Sequence, residues 1–228
     1  MPSATQLGIV DEAVEKLKQR ILQSAPTDRL PSQAILAQDL GISRTAVREA
    51  MTILQAQGLI EIQQGKLPQI LPVSNSTLSE QLKLFMSRQG ASFHQFMEVR
   101  LPIEIEVARI AAQRATEDQV ENLRCSIDRL RSAKLLEEQV KADRDFHVGL
   151  AHATHNPLFI SILESFHIGL RSSMKKTIGN AGVQNAVRGH RAILDAVRLH
   201  QPDLAIKRME RHLKQAIRDY KPPTQRAR

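Results

Sequence analysis

The sequence predicts a mainly α-helical protein: three helices and a β-hairpin, then an all-α antiparallel bundle of six or seven helices. Three observations predict it. Apolar residues recur at helical spacing along almost the whole chain. One pair of short β-type runs, at 59–62 and 69–71, interrupts them. A polar, Ser-rich stretch from Pro72 to Thr77 then separates the hairpin from everything after it. At 228 residues the chain has length for two modest domains, each with a core of its own. The expected organisation is a first domain over 1–73, a linker at 74–76, a helical domain over 77–222 and a tail at 223–228.

The elements follow in order. Val10, Ala13, Val14, Leu17 and Ile21 share one helix face, and Pro26 ends that region. A second helix fits Gln33 to Asp39, with Ser32 as its N-cap. Leu40-Gly41-Ile42 makes a tight turn. Ser43 caps a third helix from Arg44 to Gln57, which Gly58 closes. Gln63-Gln64-Gly65-Lys66 reads as the turn of the hairpin, and Pro68 points to an edge position for its second strand. Beyond Thr77 the pattern predicts helices at 77–89, 93–115, 117–138, 140–155, 157–177, 184–200 and 202–219. Pro157 and Pro202 sit in first turns, where proline is tolerated.

Helix, helix, Gly turn, helix and hairpin is the order of a winged helix-turn-helix. Such a third helix enters the major groove of DNA, and its first turn meets base edges. Here that turn carries Ser43, Arg44, Thr45 and Arg48. Arg44 suits guanine edges, and the hydroxyls suit phosphates or bases. The turn with Gln64, Gly65 and Lys66 is a wing for the minor groove or backbone, where Gly65 allows close approach. The alternative for Arg44 and Arg48 is a solvated helix face.

The run Leu36-Ala37 to Leu40-Gly41-Ile42-Ser43-Arg44-Thr45-Ala46-Val47-Arg48-Glu49-Ala50, then Leu54-x-x-x-Gly58-Leu59-Ile60, closely resembles the GntR family of bacterial transcription regulators. The resemblance spans about residues 10–73. It implies operator contacts by Ser43, Arg44, Thr45, Arg48, Gln64 and Gly65, with Lys66 beside them. Two departures concern the operator. Ala34 stands where the family often has a basic contact, and Ser24-Ala25-Pro26-Thr27-Asp28 replaces a usual Gly-x-x-x-Pro-Gly stretch.

A second constellation lies between residues 140 and 215. Asp143 and His147 are one helical turn apart on one face. His190 continues an apolar stripe with Ile193, Leu194 and Val197; His212 lies with Met209, Leu213 and Ala216. Directed inward from three helices, these four residues suit one divalent ion, Zn²⁺, Ni²⁺, Mn²⁺ or Fe²⁺. The alternative is a set of hydrogen-bonded core histidines. Asp143-Arg144-Asp145-Phe146-His147, Asn156-Pro157, His190-x-x-Ile193-x-x-Ala196 and Arg211-His212-Leu213 resemble the FCD effector domain of the FadR subfamily. Arg100-x-x-x-Glu104 and Ala108-x-x-Ala111-Ala112 match its early helix. The resemblance implies that Asp143, His147, His190 and His212 hold a metal, and that a small organic acid occupies the cavity. Asp145 is two residues from His147, on another face, so Asp143 is the preferred ligand. One Asp and three neutral His leave a divalent ion with net positive charge, which suits a carboxylate effector. Arg100 either pairs with that anion or bridges to Glu104.

The remaining histidines carry weaker signals. His94 begins a helix. His152 and His155 lie near Asn156-Pro157. His167 lines the cavity or packs, and His200 sits at a helix end, where a cation suits the dipole. Cys125 reads as inert.

Composition excludes several classes. One cysteine rules out a disulfide framework. Aromatic residues at 3 % argue against a single-stranded nucleic-acid platform. No targeting segment or membrane span is expected, so the expected location is the cytoplasm. The net charge of +8 and pI near 10.0 suggest an anionic partner. Its location matters, however. Residues 1–73 hold seven basic and seven acidic groups, whereas residues 171–228 hold fourteen basic and four acidic. The sequence thus points to a ligand-responsive DNA-binding regulator, expected to repress, acting as a homodimer on a palindromic double-stranded operator. It is not read as an enzyme. The competing reading is a metal-dependent hydrolase or lyase fused to a DNA-binding module.

Overall fold

A computed structural model describes residues 4–72 and 75–220, leaving aside the side chains of 4–7, 75–77, 168–174, 176, 180 and 181. The chain divides into two compact units, Met1–Thr77 and Leu78–Arg228.

The first unit contains α1 (Ala4–Gln23), α2 (Gln33–Leu40), α3 (Arg44–Ala56), β1 (Ile60–Glu61) and β2 (Gln69–Ile70). Helix α1 starts before Val10, and its expected stripe of Val10, Ala13, Val14, Leu17 and Ile21 is buried. It packs on α3. Leu17, Leu36, Val47, Met51, Leu54 and Ile60 fill the core, each worth about 1.5–3 kcal/mol of apolar burial for the larger side chains. Both serine caps form: Ser32 accepts from the Ile35 amide at 3.4 Å and Ser43 from Ala46 at 3.1 Å.

The hairpin pairs Ile60 with Ile70 and Glu61 with Gln69. The edge position expected from Pro68 is overturned. A third segment bridges β2 on its other side at Arg29. The Leu30 amide donates to the Pro68 carbonyl at 2.8 Å, and the Ile70 amide to the Asp28 carbonyl at 2.7 Å. Pro68 precedes the first residue of the strand. Opposite Leu30, its missing N–H leaves that pair one ladder bond in place of two, while its carbonyl still accepts the other.

The helices that follow are α4 (Asn75–Gln89), α5 (Phe93–Arg114), α6 (Glu117–Ser132), α7 (Leu136–Ala153), α8 (Pro157–Ala181), α9 (Gln184–Arg198) and α10 (Pro202–Asp219). Asn75 and Ser76 of the expected linker already belong to α4. Residues 73 and 74, and the expected tail, lie outside the described residues. The α6–α7 break falls at 133–135, not at 139. Glu137 and Glu138 explain the shift. Both lie in the first turn of α7, where the helix dipole favours them. Glu138 also accepts from the Leu135 amide at 3.5 Å. Capping boxes start α5 at Ser92/Gln95 and α6 at Thr116/Gln119. Asn156 caps α8, ahead of Pro157.

Helix α5 packs on α7, α9 and α10, and α8 lies against α7 and α10. Small residues on α5 (Ala108, Ala111 and Ala112, all fully buried) permit this approach. The core includes Phe146, Leu150, Leu163, Ile193, Val197, Met209 and Leu213. No helix among the described residues is long and apolar enough to cross a membrane.

Candidate functional site

Each unit presents one arrangement built for chemistry. In the first, α3 buries Ala46, Val47, Ala50, Met51 and Leu54 and leaves Ser43, Arg44, Thr45 and Arg48 exposed. The helix orients them, because the buried stripe fixes its rotation about its own axis. The Ser43 oxygen caps the helix, and its O–H remains a donor. Arg44 and Arg48 form no ion pair among the described residues. Gln64, Gly65 and Lys66 are exposed at the hairpin tip. The Lys66 amide closes the turn onto the Gln63 carbonyl at 3.2 Å, and Gly65 has φ +75°, a conformation that favours glycine.

In the second unit, helical spacing brings polar residues inward from four helices. Asp143 and His147 come from α7, His190 from α9 and His212 from α10; Arg100 and Glu104 come from α5. All six are buried. His147 Nε2 lies 3.3 Å from Nε2 of His190 and 3.3 Å from Nε2 of His212. Asp143 Oδ1 lies 3.4 Å from His190 Nε2. The three sequence-predicted imidazoles thus meet, whereas Asp143 approaches His190 and stands outside the group of ligand atoms within 4.8 Å of one another. Asp145 instead turns to Arg129 at 3.5 Å.

Glu104 orients this cluster. One carboxylate oxygen bonds Nδ1 of His147 and the other bonds Nε of Arg100. Arg100 therefore makes the bridge to Glu104, and it also lines the adjoining cavity. A proton held on His147 Nδ1 by Glu104 leaves Nε2 as a lone pair facing the other two rings. This is the carboxylate–histidine arrangement that orients metal ligands. Sequence reasoning named Glu104 only as a partner of Arg100. Its signal was a carboxylate on the same face as Val107, Ala108 and Ala111.

Burial dominates the electrostatics. It pushes the imidazoles of His190 and His167 well below their ordinary value, and the neighbouring imidazoles and Arg100 add to the effect. His212 falls to about 3 for the same reasons, burial first and His147 next. Burial raises Asp143, partly countered by His147 and Arg100. Burial also acts to raise Glu104, but Arg100 and His147 overcome it and hold the carboxyl well below the usual range.

Neutral imidazoles with nitrogens 3.3 Å apart share at most one proton between each pair. The donor set fits a cation better. Two nitrogens on a tetrahedral ion with bonds of about 2.0–2.1 Å stand about 3.3 Å apart. One ring nitrogen from each of His147, His190 and His212 lies within 4.8 Å of the others. A second group, Glu104, His147 and His167, meets the same limit but shares His147. His190 is further held by stacking on Phe146, centroids 4.0 Å apart at 14°.

A cavity of about 50 Å³ adjoins the cluster, lined by Arg100, Asp143, His147 and His212 with Phe93 and Met97. That volume takes a few waters or one small polar group. The other histidines stand elsewhere. His94 and His152 are exposed. His155 Nε2 lies 3.2 Å from the Arg114 carbonyl, and His200 Nδ1 3.0 Å from that of Ala112. His200 thus ties the α9–α10 turn to α5. Cys125 Sγ lies 3.6 Å from Glu121.

Comparison with known proteins gives two family matches. Residues 9–66 match the bacterial regulatory proteins of the gntR family, and residues 95–215 match the FCD domain. The HTH-type transcriptional repressor NanR of Enterobacter sp. (strain 638) is 31% identical over 218 residues, covering 90% of this chain and 81% of that protein. NanR of Cronobacter sakazakii is 30% identical, with the same coverage. The solved structure of Streptococcus agalactiae GntR aligns with TM-score 0.69 and 25% identity over 92% of this chain and 99% of that one. These relatives are regulators, not enzymes.

Proposed function

The chain belongs to the GntR family of bacterial regulatory proteins, with an FCD domain after its DNA-binding domain, and on that premise we propose that it is a metal-containing, ligand-responsive repressor. Two copies bind a palindromic double-stranded operator inside the cell. Ser43, Arg44, Thr45 and Arg48 enter the major groove, and Gln64, Gly65 and Lys66 reach the minor groove or backbone. The repressor names of the 30–31% identical relatives support the sign of regulation.

Asp143, His147, His190 and His212 hold the metal. The single observation that carries this is the meeting of three buried Nε2 atoms, with His147 oriented by Glu104. A divalent ion held there would supply a positive centre that attracts a carboxylate. Arg100, already fixed by Glu104, adds its charge on the same cavity wall. A small carboxylate that binds one arrangement of the dimer better than the other shifts operator affinity by that difference.

The test is a footprint on the protein's own promoter region, repeated with a panel of small carboxylates. Specific protection that one acid relieves supports the reading. No specific protection in any condition rejects it.

A further inference from the structure

A second cavity, of about 380 Å³, opens between α9 and α10 on the far side of His212. Arg188, Arg208 and Arg211 line it, with Asp195 as its acidic residue. Gly189 and His212 line it as well. A Cβ at Gly189 would lie 3.0 Å from Cγ of His212 and closer still to Nδ1. The missing side chain lets the Nδ1 edge of the ring pack against Gly189, and both residues line the cleft. His212 Nε2 points the other way, toward His147. Nδ1 makes no hydrogen bond to the protein among the described residues.

The two imidazoles are thus treated differently. His147 receives a carboxylate from the chain itself, Glu104, on its Nδ1. His212 receives none, yet it lines a cleft that carries three guanidinium groups. A neutral imidazole whose Nε2 is a ligand carries its proton on Nδ1 and requires an acceptor there. Arg208 is anchored, donating to the Ala192 carbonyl with Asp195 4.0 Å away. Arg188 donates to Asn185, and Arg211 is exposed. Three guanidinium groups against one carboxylate leave two positive charges in the cleft.

We infer that this cleft binds a small doubly charged oxyanion, inorganic phosphate or a phosphate monoester, whose oxygen accepts from His212 Nδ1 while Arg188 and Arg211 neutralise its charge. The site is distinct from the effector cavity, with which it shares the wall formed by His212, Asn185 and Gln215. Only the tautomer of His212 rests on the proposed metal reading; the arginines attract the anion either way. The anion supplies to His212 what Glu104 supplies to His147.

The experiment is calorimetric titration of the full chain with inorganic phosphate, with metal content measured on the same sample. Wild type is expected to bind phosphate saturably. The double variant Arg188→Ala/Arg211→Ala, at surface positions, is expected to bind it at least about tenfold more weakly for each charge-assisted hydrogen bond removed. Its metal content should not change. Stripping the metal with a chelator should leave wild-type phosphate binding in place. Equal affinity in the double variant overturns the proposal, and so does loss of phosphate binding on stripping, which would put the anion on the ion. A wild type that carries no metal yet binds phosphate through the arginines rejects the metal reading alone. Glycerol phosphate titrated in parallel separates the sources: tighter binding of the ester assigns the cleft to a phosphorylated metabolite, tighter binding of the free ion to phosphate itself.

Discussion

The first unit exposes its candidate site residues and the second buries them. In the DNA-binding unit Ser43, Arg44, Thr45 and Arg48 are exposed, and the buried face of α3 is wholly apolar. In the FCD unit Arg100, Glu104, Asp143, His147, His190 and His212 are buried, and the charged groups outside are solvated. All eight histidines belong to the second unit. Net charge is informative only once it is located along the chain. The unit that reads DNA is neutral in composition, and the excess positive charge lies after residue 170. An exposed reader works by the direction of a few side chains. A buried cluster works by convergence, and desolvation holds its imidazoles neutral.

The largest effect that separates the units is expected from Glu104→Gln. It leaves the Arg100 charge buried without its partner and frees Nδ1 of His147. The second unit should lose about 3–5 kcal/mol of stability. Metal affinity should fall about 10–100-fold. Denaturation followed in both units, with metal competition, reads both. An unchanged second unit would break the comparison.

Acid should also divide the units. His190 and His212 have lowered values when folded, whereas in the unfolded chain they protonate near 6.5. Unfolded chain therefore binds more protons below that pH, and stability is lost as pH falls from about 6.5 toward about 3. Asp143, with its raised value, opposes this in part. Hydrogen exchange of the metal-free protein between pH 7 and 5 should show amides of α9 losing protection while those of α3 keep theirs. Equal loss in both would contradict the assignment.

On the exposed side, Arg44→Ala should cost about 1–3 kcal/mol of operator discrimination and little non-specific affinity. Competition between operator and random duplex measures this. The smallest effect is expected at the wing. Lys66→Ala should reduce the salt dependence of binding by about one phosphate contact, without altering sequence preference.

This contrast also sets what the sequence reveals. Ser43 as cap and Arg44 as exposed neighbour follow from residues within one turn. The pairing of Asp143 with His147 is likewise local, at one helical turn. The approach of His190 and His212 to His147 spans 43 and 65 residues, and spacing on separate helices offers it only as one option. Resemblance to a family was needed to choose. The link from Glu104 to His147 also crosses 43 residues, and no periodicity announces it. Pro68 misled because a strand's neighbours are not local: Asp28 to Leu30 cover the side of β2 that proline alone would have left open. The α6–α7 break was legible in Glu137 and Glu138, whose charges suit a first turn, though apolar periodicity ran through it.

Three buried imidazoles on separate helices are proposed to hold one metal ion. Elemental analysis of purified wild type and His190→Ala, with folding checked by circular dichroism, tests it most directly. About one divalent ion per wild-type chain and almost none in the folded variant are expected. Equal metal content in the two proteins would contradict the proposal.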